Sequence, residues 1–281
     1  MPELSTNYTT RLEAHGVPKI LWKYSGERGI GLLTGMAIKV TRPNEFNDPF
    51  EFSPGVGRAI SVRYLRKLYR NNCLITKLGL PALEEIDGTD DAEKLEFVAD
   101  QLNRGAKEVL SEQLDVLSAR YGVICLSGDP RNIGMWSHYA QNHRGFVVGL
   151  NHSRVAPMPL LPVVYSDGRA LFQGTTILTA NNKTNVRVYE VLLRKSPDWV
   201  HEQEYRMIWP LDQLEKRQVD GQEWHMLPIL PKMIAEVVVG VRASDEFTDN
   251  IRNAIASLGT KIRLRKARMH PRKYSLNFED I

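Results

Sequence analysis

Short apolar segments recur along the chain, and their length predicts β-strands. They lie at residues 20–24 (ILWKY), 37–41, 123–127 (VICLS), 146–150, 160–165, 205–209 and 235–239. Compact apolar segments of four to eight residues are typical of buried strands. Near the end of the chain, charged and apolar residues alternate through 261–265 (KIRLR), as they do in a half-buried strand. The pattern therefore predicts strands early, in the middle and late in the sequence.

Helical periodicity separates these strands. Residues 92–121 repeat apolar side chains at spacings of three and four, for example at Leu95, Val98 and Leu102, which predicts one long helix. The other predicted helices lie at 26–36, 58–72, 132–142, 175–193 and 245–258, with Asn132 as an N-cap. Helices inserted between strands predict a single α+β domain over residues 1–281. Its central sheet should be mixed and largely antiparallel, with 53–121 as a helical insertion.

Composition narrows the class of protein. Apolar residues make up 42% of the 281 residues and charged residues 25%, as in soluble globular proteins. Two cysteines are too few for a disulfide framework, and about 18 consecutive apolar residues, as a membrane span needs, occur nowhere. The first residues lack the apolar core of a signal peptide. We expect a cytoplasmic protein with no membrane partner.

The formal net charge of +4 is unevenly distributed. Residues 261–273, which we call the basic strip, hold seven Lys or Arg and no acid, so subtracting them leaves −3 for the remainder. Such a strip suits a phosphate-bearing partner. The residues predicted to contact nucleic acid are Arg263, Arg265, Lys266 and Arg268. The alternative is a solvated strand that binds nothing.

Three segments concentrate residues that can do chemistry. In 44–51 (NEFNDPFE), Asn47, Asp48 and the following proline predict a rigid turn that could present polar groups to a ligand. The alternative is a turn with a structural role alone, in which Phe46 and Phe50 are buried in the core. In 136–145 (WSHYAQNHRG), a helix would place Trp136 and Tyr139 on one face and His138 on another. These rings could stack on a planar ligand or be core residues.

The third segment is 199–206 (WVHEQEYR). On a strand, Glu202, Glu204 and Arg206 would project to one face. Paired carboxylates can stabilise developing positive charge or orient a ribose hydroxyl, and the adjacent arginine would keep at least one of them ionised. The alternative is a surface strand of ion pairs.

The three segments together resemble the prokaryotic family catalogued as domain of unknown function 2971. The residues that carry the resemblance are Lys23-Tyr24, 47–51 (NDPFE), the VICLS strand, 136–140 (WSHYA) with His143 and Gly145, and 202–206 (EQEYR) after Trp199. They run in order from about residue 20 to about 240.

The order of elements also resembles that of ADP-ribosyltransferases: a first strand that ends in a polar residue, a helix, a short second strand and a late strand that bears an acidic residue. The fold implied by this resemblance is a split central sheet. That resemblance implies that NAD is the substrate, that Glu204 contacts its nicotinamide ribose and that Glu202 is the upstream partner. Lys23 or Tyr24 would take the first-strand position, Lys23 or Arg206 would hold the pyrophosphate, and Trp136 or Tyr139 would stack on a ring. Asn47, Asp48 and His138 complete the expected binding site. The implied function is a toxin or antiviral defence effector that modifies nucleic acid or protein.

Two other functions remain open on the sequence. One is a non-catalytic nucleic-acid or nucleotide sensor that uses the basic strip together with the aromatic segments. The other is a hydrolase or nuclease that uses Asp48, His138 and Glu204 with a divalent ion, although we expect no resident metal. The sequence has no phosphate-binding loop (GxxxxGK[ST]), HExxH zinc motif or GxSxG nucleophile elbow to favour another enzyme class.

Overall fold

A computed structural model describes residues 17–57, 60–70, 80–86, 90–151, 160–173, 188–219 and 221–281. Its strands are β1 Ile20–Ser25, β2 Ala37–Val40, β3 Gly55–Val56, β4 Tyr121–Ser127, β5 Phe146–Asn151, β6 Leu160–Pro162, β7 Val164–Tyr165, β8 Leu171–Phe172, β9 Arg194–Lys195, β10 Glu204–Pro210, β11 Glu215–Val219, β12 Gln222–Pro228, β13 Ile234–Val239, β14 Arg263–Met269 and β15 Leu276–Asp280.

The α-helices are α1 Gly31–Thr34, α2 Val62–Arg70, α3 Asp91–Arg120, α4 Ile133–Tyr139, α5 Val188–Leu192 and α6 Asp245–Ser257. Capping explains where two of them start. Asp90 accepts hydrogen bonds from the backbone N–H groups of Ala92 and Glu93 at the start of α3. Asn132 accepts one from Met135 at the start of α4, which confirms it as an N-cap. The predicted helices at 58–72 and 175–193 lie partly outside the described residues.

Within the described residues, eight strands form one sheet in the order β15-β14-β13-β5-β1-β4-β10-β6. Three more form a second sheet, β11-β12-β2. In the eight-stranded sheet β13 and β14 are parallel, and the other described pairings are antiparallel. The prediction of an α+β fold with a mixed, largely antiparallel sheet is confirmed.

The central sheet is covered on both faces. Leu21 of β1 and Ile124 and Leu126 of β4 point to one face and pack in a core shared with α6. Trp22 and Tyr24 alternate to the other face, where they pack with residues of α4. Burial on both faces explains why the strand sequences are continuously apolar. The second face also carries the candidate site.

The region predicted as a helical insertion contains α2 and α3, which pack together through residues such as Leu65, Leu68 and Leu95. Asn103 joins α3 to the segment that precedes α2. Its side chain accepts a hydrogen bond from the N–H of Ile60 (2.7 Å) and donates one to the Ile60 carbonyl (3.0 Å). Among the described helices, none combines the length and apolar character needed to cross a bilayer.

Two predicted elements end differently in the structure. The helix expected to reach residue 142 stops at Tyr139, because Gln141, Asn142 and His143 have positive φ angles that a right-handed helix excludes. The strand predicted at 205–209 is present, but the first part of the 199–206 segment, whose side chains we considered on a strand, belongs to a 3₁₀-helix over Pro197–Glu202. Gln203 then turns the chain in a left-handed conformation (φ 46°), and the strand starts at Glu204.

Candidate functional site

The candidate site lies on the central strands β1, β4 and β10. In the antiparallel register, Glu204 is opposite Ser127 and Arg206 is opposite Cys125. Because side chains two residues apart share one face of a strand, Glu204 and Arg206 project together. Glu202 is the last residue of the 3₁₀-helix, so the prediction that it lies on the strand is wrong. Its carboxylate nevertheless lies close to that of Glu204, because both contact Lys195.

Lys195 is the centre of the site. Its Nζ lies 2.6 Å from Glu202 Oε2, 3.2 Å from Glu204 Oε2 and 3.0 Å from Glu51 Oε1. Each of these four side chains is 5% exposed or less, so water screens the charges weakly. One ammonium thus holds three carboxylates that come from two distant parts of the chain.

Arg206 is the second cation of the site. Its Nε donates to Glu204 Oε1 at 2.8 Å, and its Nη2 donates to Glu204 Oε2 at 3.0 Å and to Glu51. The remaining nitrogen, Nη1, donates to the Leu192 carbonyl at 2.6 Å. This two-pronged contact with Glu204 fixes the carboxylate in orientation as well as in charge. We call Glu51, Lys195, Glu202, Glu204 and Arg206 the five-charge cluster.

The cluster keeps Glu204 and Lys195 ionised. Burial alone would raise the pKa of Glu204, but Arg206 and Lys195 outweigh burial and lower it to about 2. Burial alone would lower the pKa of Lys195, but the three carboxylates raise it above its ordinary value. Glu204 therefore carries its charge throughout the physiological range and is suited to electrostatic stabilisation rather than to proton transfer.

A cavity of about 400 Å³, which we call the site cavity, opens above the cluster. All five cluster members line it, with side chains from β1, β4, α4 and the turn after β2. Tyr139 joins its wall to the cluster, because its hydroxyl donates to Glu202 Oε1 at 2.8 Å and accepts from Asn47 at 3.4 Å. Burial and then the Glu202 charge raise the pKa of Tyr139, so it remains a neutral donor.

The first strand contributes two polar groups to this wall. Lys23 donates from Nζ to the Cys125 carbonyl at 3.3 Å, and Tyr24 donates to the Asp129 carbonyl at 2.7 Å. Both side chains line the site cavity. The predicted residues that the structure brings together there are Lys23, Tyr24, Asn47, His138, Tyr139, Glu202, Glu204 and Arg206.

Two predicted residues lie elsewhere. Trp136 is fully buried and donates its indole N–H to the Pro130 carbonyl at 2.8 Å, so its ring is a core residue with no face open to a ligand. Asp48 accepts a hydrogen bond from the Phe50 N–H and lines a second cavity of about 500 Å³, whose wall also includes Lys195 and Trp199. Phe50, expected as a core anchor in the structural alternative, is 67% exposed.

Sequence reasoning missed Lys195 and Glu51. Lys195 lies two residues after the end of the predicted helix at 175–193, where a lysine is ordinarily exposed to solvent. Glu51 lies in the NDPFE segment, but nothing local marks it as buried. One signal in the sequence could have found Lys195. Two buried carboxylates need positively charged partners, because an unpaired buried charge is unfavourable, and Arg194-Lys195 is the pair of basic residues closest in sequence to Glu202 and Glu204.

Four of the seven cations of the basic strip form ion pairs within the fold. Arg263 is paired with Asp280, Arg265 with Glu236, Lys266 with Asp245 and Arg268 with Glu279. Three of these acids lie on the strands that flank β14, which the sequence pattern of the strip itself does not reveal. The four residues predicted to contact nucleic acid thus already have carboxylate partners.

The described part of the chain offers no ligand set for the metal-dependent alternative. Among the described residues, no group of three or more His, Cys, Asp or Glu side chains is arranged to hold a metal ion. Of the three residues that this alternative invoked, His138 and Glu204 line the site cavity and Asp48 lines the second cavity.

The chain matches no protein-family model, no curated protein and no solved structure. The resemblances to domain of unknown function 2971 and to ADP-ribosyltransferases stay predictions.

Proposed function

We propose that the site cavity binds NAD and that the protein cleaves the bond between nicotinamide and ribose, transferring ADP-ribose to a nucleic acid or protein. The observation that carries this proposal is the convergence of Glu202 and Glu204 with Tyr24, His138 and Tyr139 around one cavity. A volume of about 400 Å³ falls within the range of about 300–1,000 Å³ of small-molecule sites.

The charge of the cavity favours a ligand that is positive at its reacting end. Among the described residues that line it, four carboxylates (Glu45, Glu51, Glu202 and Glu204) face three cations (Lys23, Lys195 and Arg206). The nicotinamide ring of NAD carries a positive charge, and positive charge moves onto the ribose as the bond breaks. Fixed carboxylates stabilise that charge most in the transition state, as they do in glycoside hydrolysis.

The reaction balances without a further reagent. The electron pair of the broken C–N bond stays on the nicotinamide nitrogen, which leaves as neutral nicotinamide. A nucleophile on the target, or water, then bonds to the ribose carbon and loses a proton to solvent. Glu204 supports this as a permanent anion, and Lys23 is placed to pair with a phosphate of the same ligand.

His138 and Tyr139 form an aromatic part of the cavity wall, against which a ring of NAD would pack. His138 packs edge-on against Trp199 (6.1 Å between ring centroids) and lies 6.3 Å from Tyr139. Because His138 is exposed, its replacement should leave the fold intact and report on ligand contact alone.

The test is nicotinamide release from NAD in the presence of cellular RNA, DNA and protein, with NAD binding measured by calorimetry. We expect Glu204→Gln to lower the rate roughly 100-fold or more, as loss of an electrostatic stabiliser does. His138→Ala should weaken NAD binding. Glu223→Gln, which alters an exposed carboxylate outside the cavity, is the matched control and should behave as wild type.

Failure to bind or consume NAD would overturn the proposal. So would equal activity of wild type, Glu204→Gln and His138→Ala. If Glu204→Gln does not fold, as judged by circular dichroism, the exposed His138 variant still decides the question.

A further inference from the structure

A third cavity lies at the turn between β14 and β15. It encloses about 530 Å³ and we call it the turn pocket. Arg242, Arg272 and Lys273 contribute three cations to its lining, and no Asp or Glu is among the described residues that form it. A cavity with that charge balance favours an anionic ligand.

Arg272 and Lys273 are the C-terminal end of the basic strip, and with Arg242 they differ from the four ion-paired residues of that strip. Arg263 and Arg268, a few residues away, form ion pairs with Asp280 and Glu279. In the described part of the chain, Arg242, Arg272 and Lys273 form no ion pair with a carboxylate, and all three are exposed. The available positive charge of the C-terminal region is therefore concentrated at the turn rather than along the strand.

Backbone hydrogen bonds hold the turn in shape. The His270 N–H donates to the Ser275 carbonyl and the Ser275 N–H donates to the Lys273 carbonyl, both at 2.9 Å. The Arg272 N–H donates to His270 Nδ1 at 3.1 Å. Across the pocket, the Arg242 N–H donates to the His143 carbonyl at 2.9 Å. These bonds hold the backbone of Arg272 and Lys273 within the turn, and that of Arg242 against His143, before a ligand binds.

The pocket also presents an aromatic ring to solvent. Tyr274 is fully exposed, and Met269 beside it is 75% exposed. Unpaired cations next to an exposed aromatic side chain are the combination that single strands require, with phosphates on the cations and a base on the ring. We infer that the turn pocket binds single-stranded nucleic acid through Arg242, Arg272, Lys273 and Tyr274. This inference does not depend on the NAD proposal.

The test is fluorescence anisotropy of labelled 12-nucleotide RNA and DNA strands with the full chain, between 50 and 200 mM salt. With three phosphate contacts at about 0.7 each, the logarithm of affinity should fall with the logarithm of salt at a slope of about −2. The triple variant Arg242→Ala, Arg272→Ala, Lys273→Ala should lose at least tenfold in affinity and most of that slope. Tyr274→Ala should lose roughly tenfold with the slope unchanged.

The control removes the same charge from ion-paired, exposed positions: Arg263→Ala, Arg268→Ala, Lys216→Ala. It should retain nearly all affinity. Equal weakening by both triples would mean that the strand binds overall charge, and the pocket would be rejected. Competition by polyglutamate as strong as by RNA would identify an acidic protein as the partner and would also overturn the inference, as would no binding by wild type.

Discussion

Replacing Lys195 by methionine should destabilise the protein strongly at neutral pH. The change keeps the length and apolar stem of the side chain but removes the ammonium that lies within 3.2 Å of three buried carboxylates. Arg206 would then be the one remaining cation of the five-charge cluster, and Glu202 would lose the ion pair that it makes at 2.6 Å.

The size of the loss follows from two independent considerations. Removing one partner of a buried ion pair costs ~3–5 kcal/mol, because the other charge remains buried and unpaired. The lowering of the Glu204 pKa from 4.5 to about 2 corresponds to about 3 kcal/mol of net stabilisation after the cost of burial. Arg206 supplies the larger share of it and remains in the variant, so the lower end of the range above applies to Lys195. A decrease of about 3 kcal/mol in the free energy of unfolding is therefore expected.

The pH dependence has a definite sign. Because the folded-state pKa of Glu204 is lowered, its stabilisation is present above pH 4.5 and is lost as pH falls through about 2. In Lys195→Met, Glu204 keeps Arg206 but loses its second cation, so its pKa rises and the carboxyl is protonated at a higher pH than in wild type. The difference in stability between the two proteins should therefore be largest near pH 7 and smaller at pH 3.

Urea denaturation followed by tryptophan fluorescence at pH 7 and pH 3 measures both quantities. Lys216→Met is the matched control, because Lys216 is 59% exposed and pairs with Glu223 at the surface, where such pairs contribute ~0–1 kcal/mol. The reasoning is wrong if Lys195→Met unfolds within 1 kcal/mol of the control at pH 7, or if the difference does not narrow at pH 3.

Three further outcomes test individual contacts. Burial and the Glu204 charge raise the pKa of Cys125 to about 12, so its thiol should react slowly with iodoacetamide at pH 8 in the folded protein. In a Cys73→Ser background, mass spectrometry should therefore show alkylation of urea-unfolded protein but not of folded protein. Asn103→Ala should cost about 1–3 kcal/mol of stability, because it leaves the Ile60 backbone groups unpaired, and hydrogen exchange should become faster near residue 60 before it does in the central sheet. Tyr139→Phe removes the donor to Glu202 and should lower the thermal midpoint while circular dichroism is unchanged; an unaltered midpoint would show that this hydrogen bond contributes nothing net.

The sequence predicted the central strands well because their burial is local information. Segments such as ILWKY and VICLS contain few polar residues, and β1 and β4 form where expected. Strands β11 and β12 escaped notice, because residues 215–219 (EKRQV) and 222–228 (QEWHMLP) carry no continuous apolar pattern and gain their structure from pairing in the smaller sheet.

The site was predictable in its residue types but not in its charge balance. Glu202 and Glu204 could be selected from the sequence because they adjoin a predicted buried strand. Lys195 contacts them only in the folded protein, and its local sequence does not indicate this. The ion pairs of the basic strip could not be predicted for a related reason: Glu236, Glu279 and Asp280 lie outside the strip in sequence but beside it in the sheet. Ion pairing across strands is long-range information that a charge count along one segment does not contain.

The five-charge cluster also constrains how this sequence can vary over generations. Glu51, Lys195 and the 202–206 segment come from separate parts of the chain, yet each charge is tolerated in the interior only because the others are present. A single replacement leaves an uncompensated ion, whereas a joint replacement of an acid and its base removes both at once. Descendants of this protein should therefore either keep all five residues or replace an acid and a base together. The charged residues that line the cavity should thus change jointly and not one at a time.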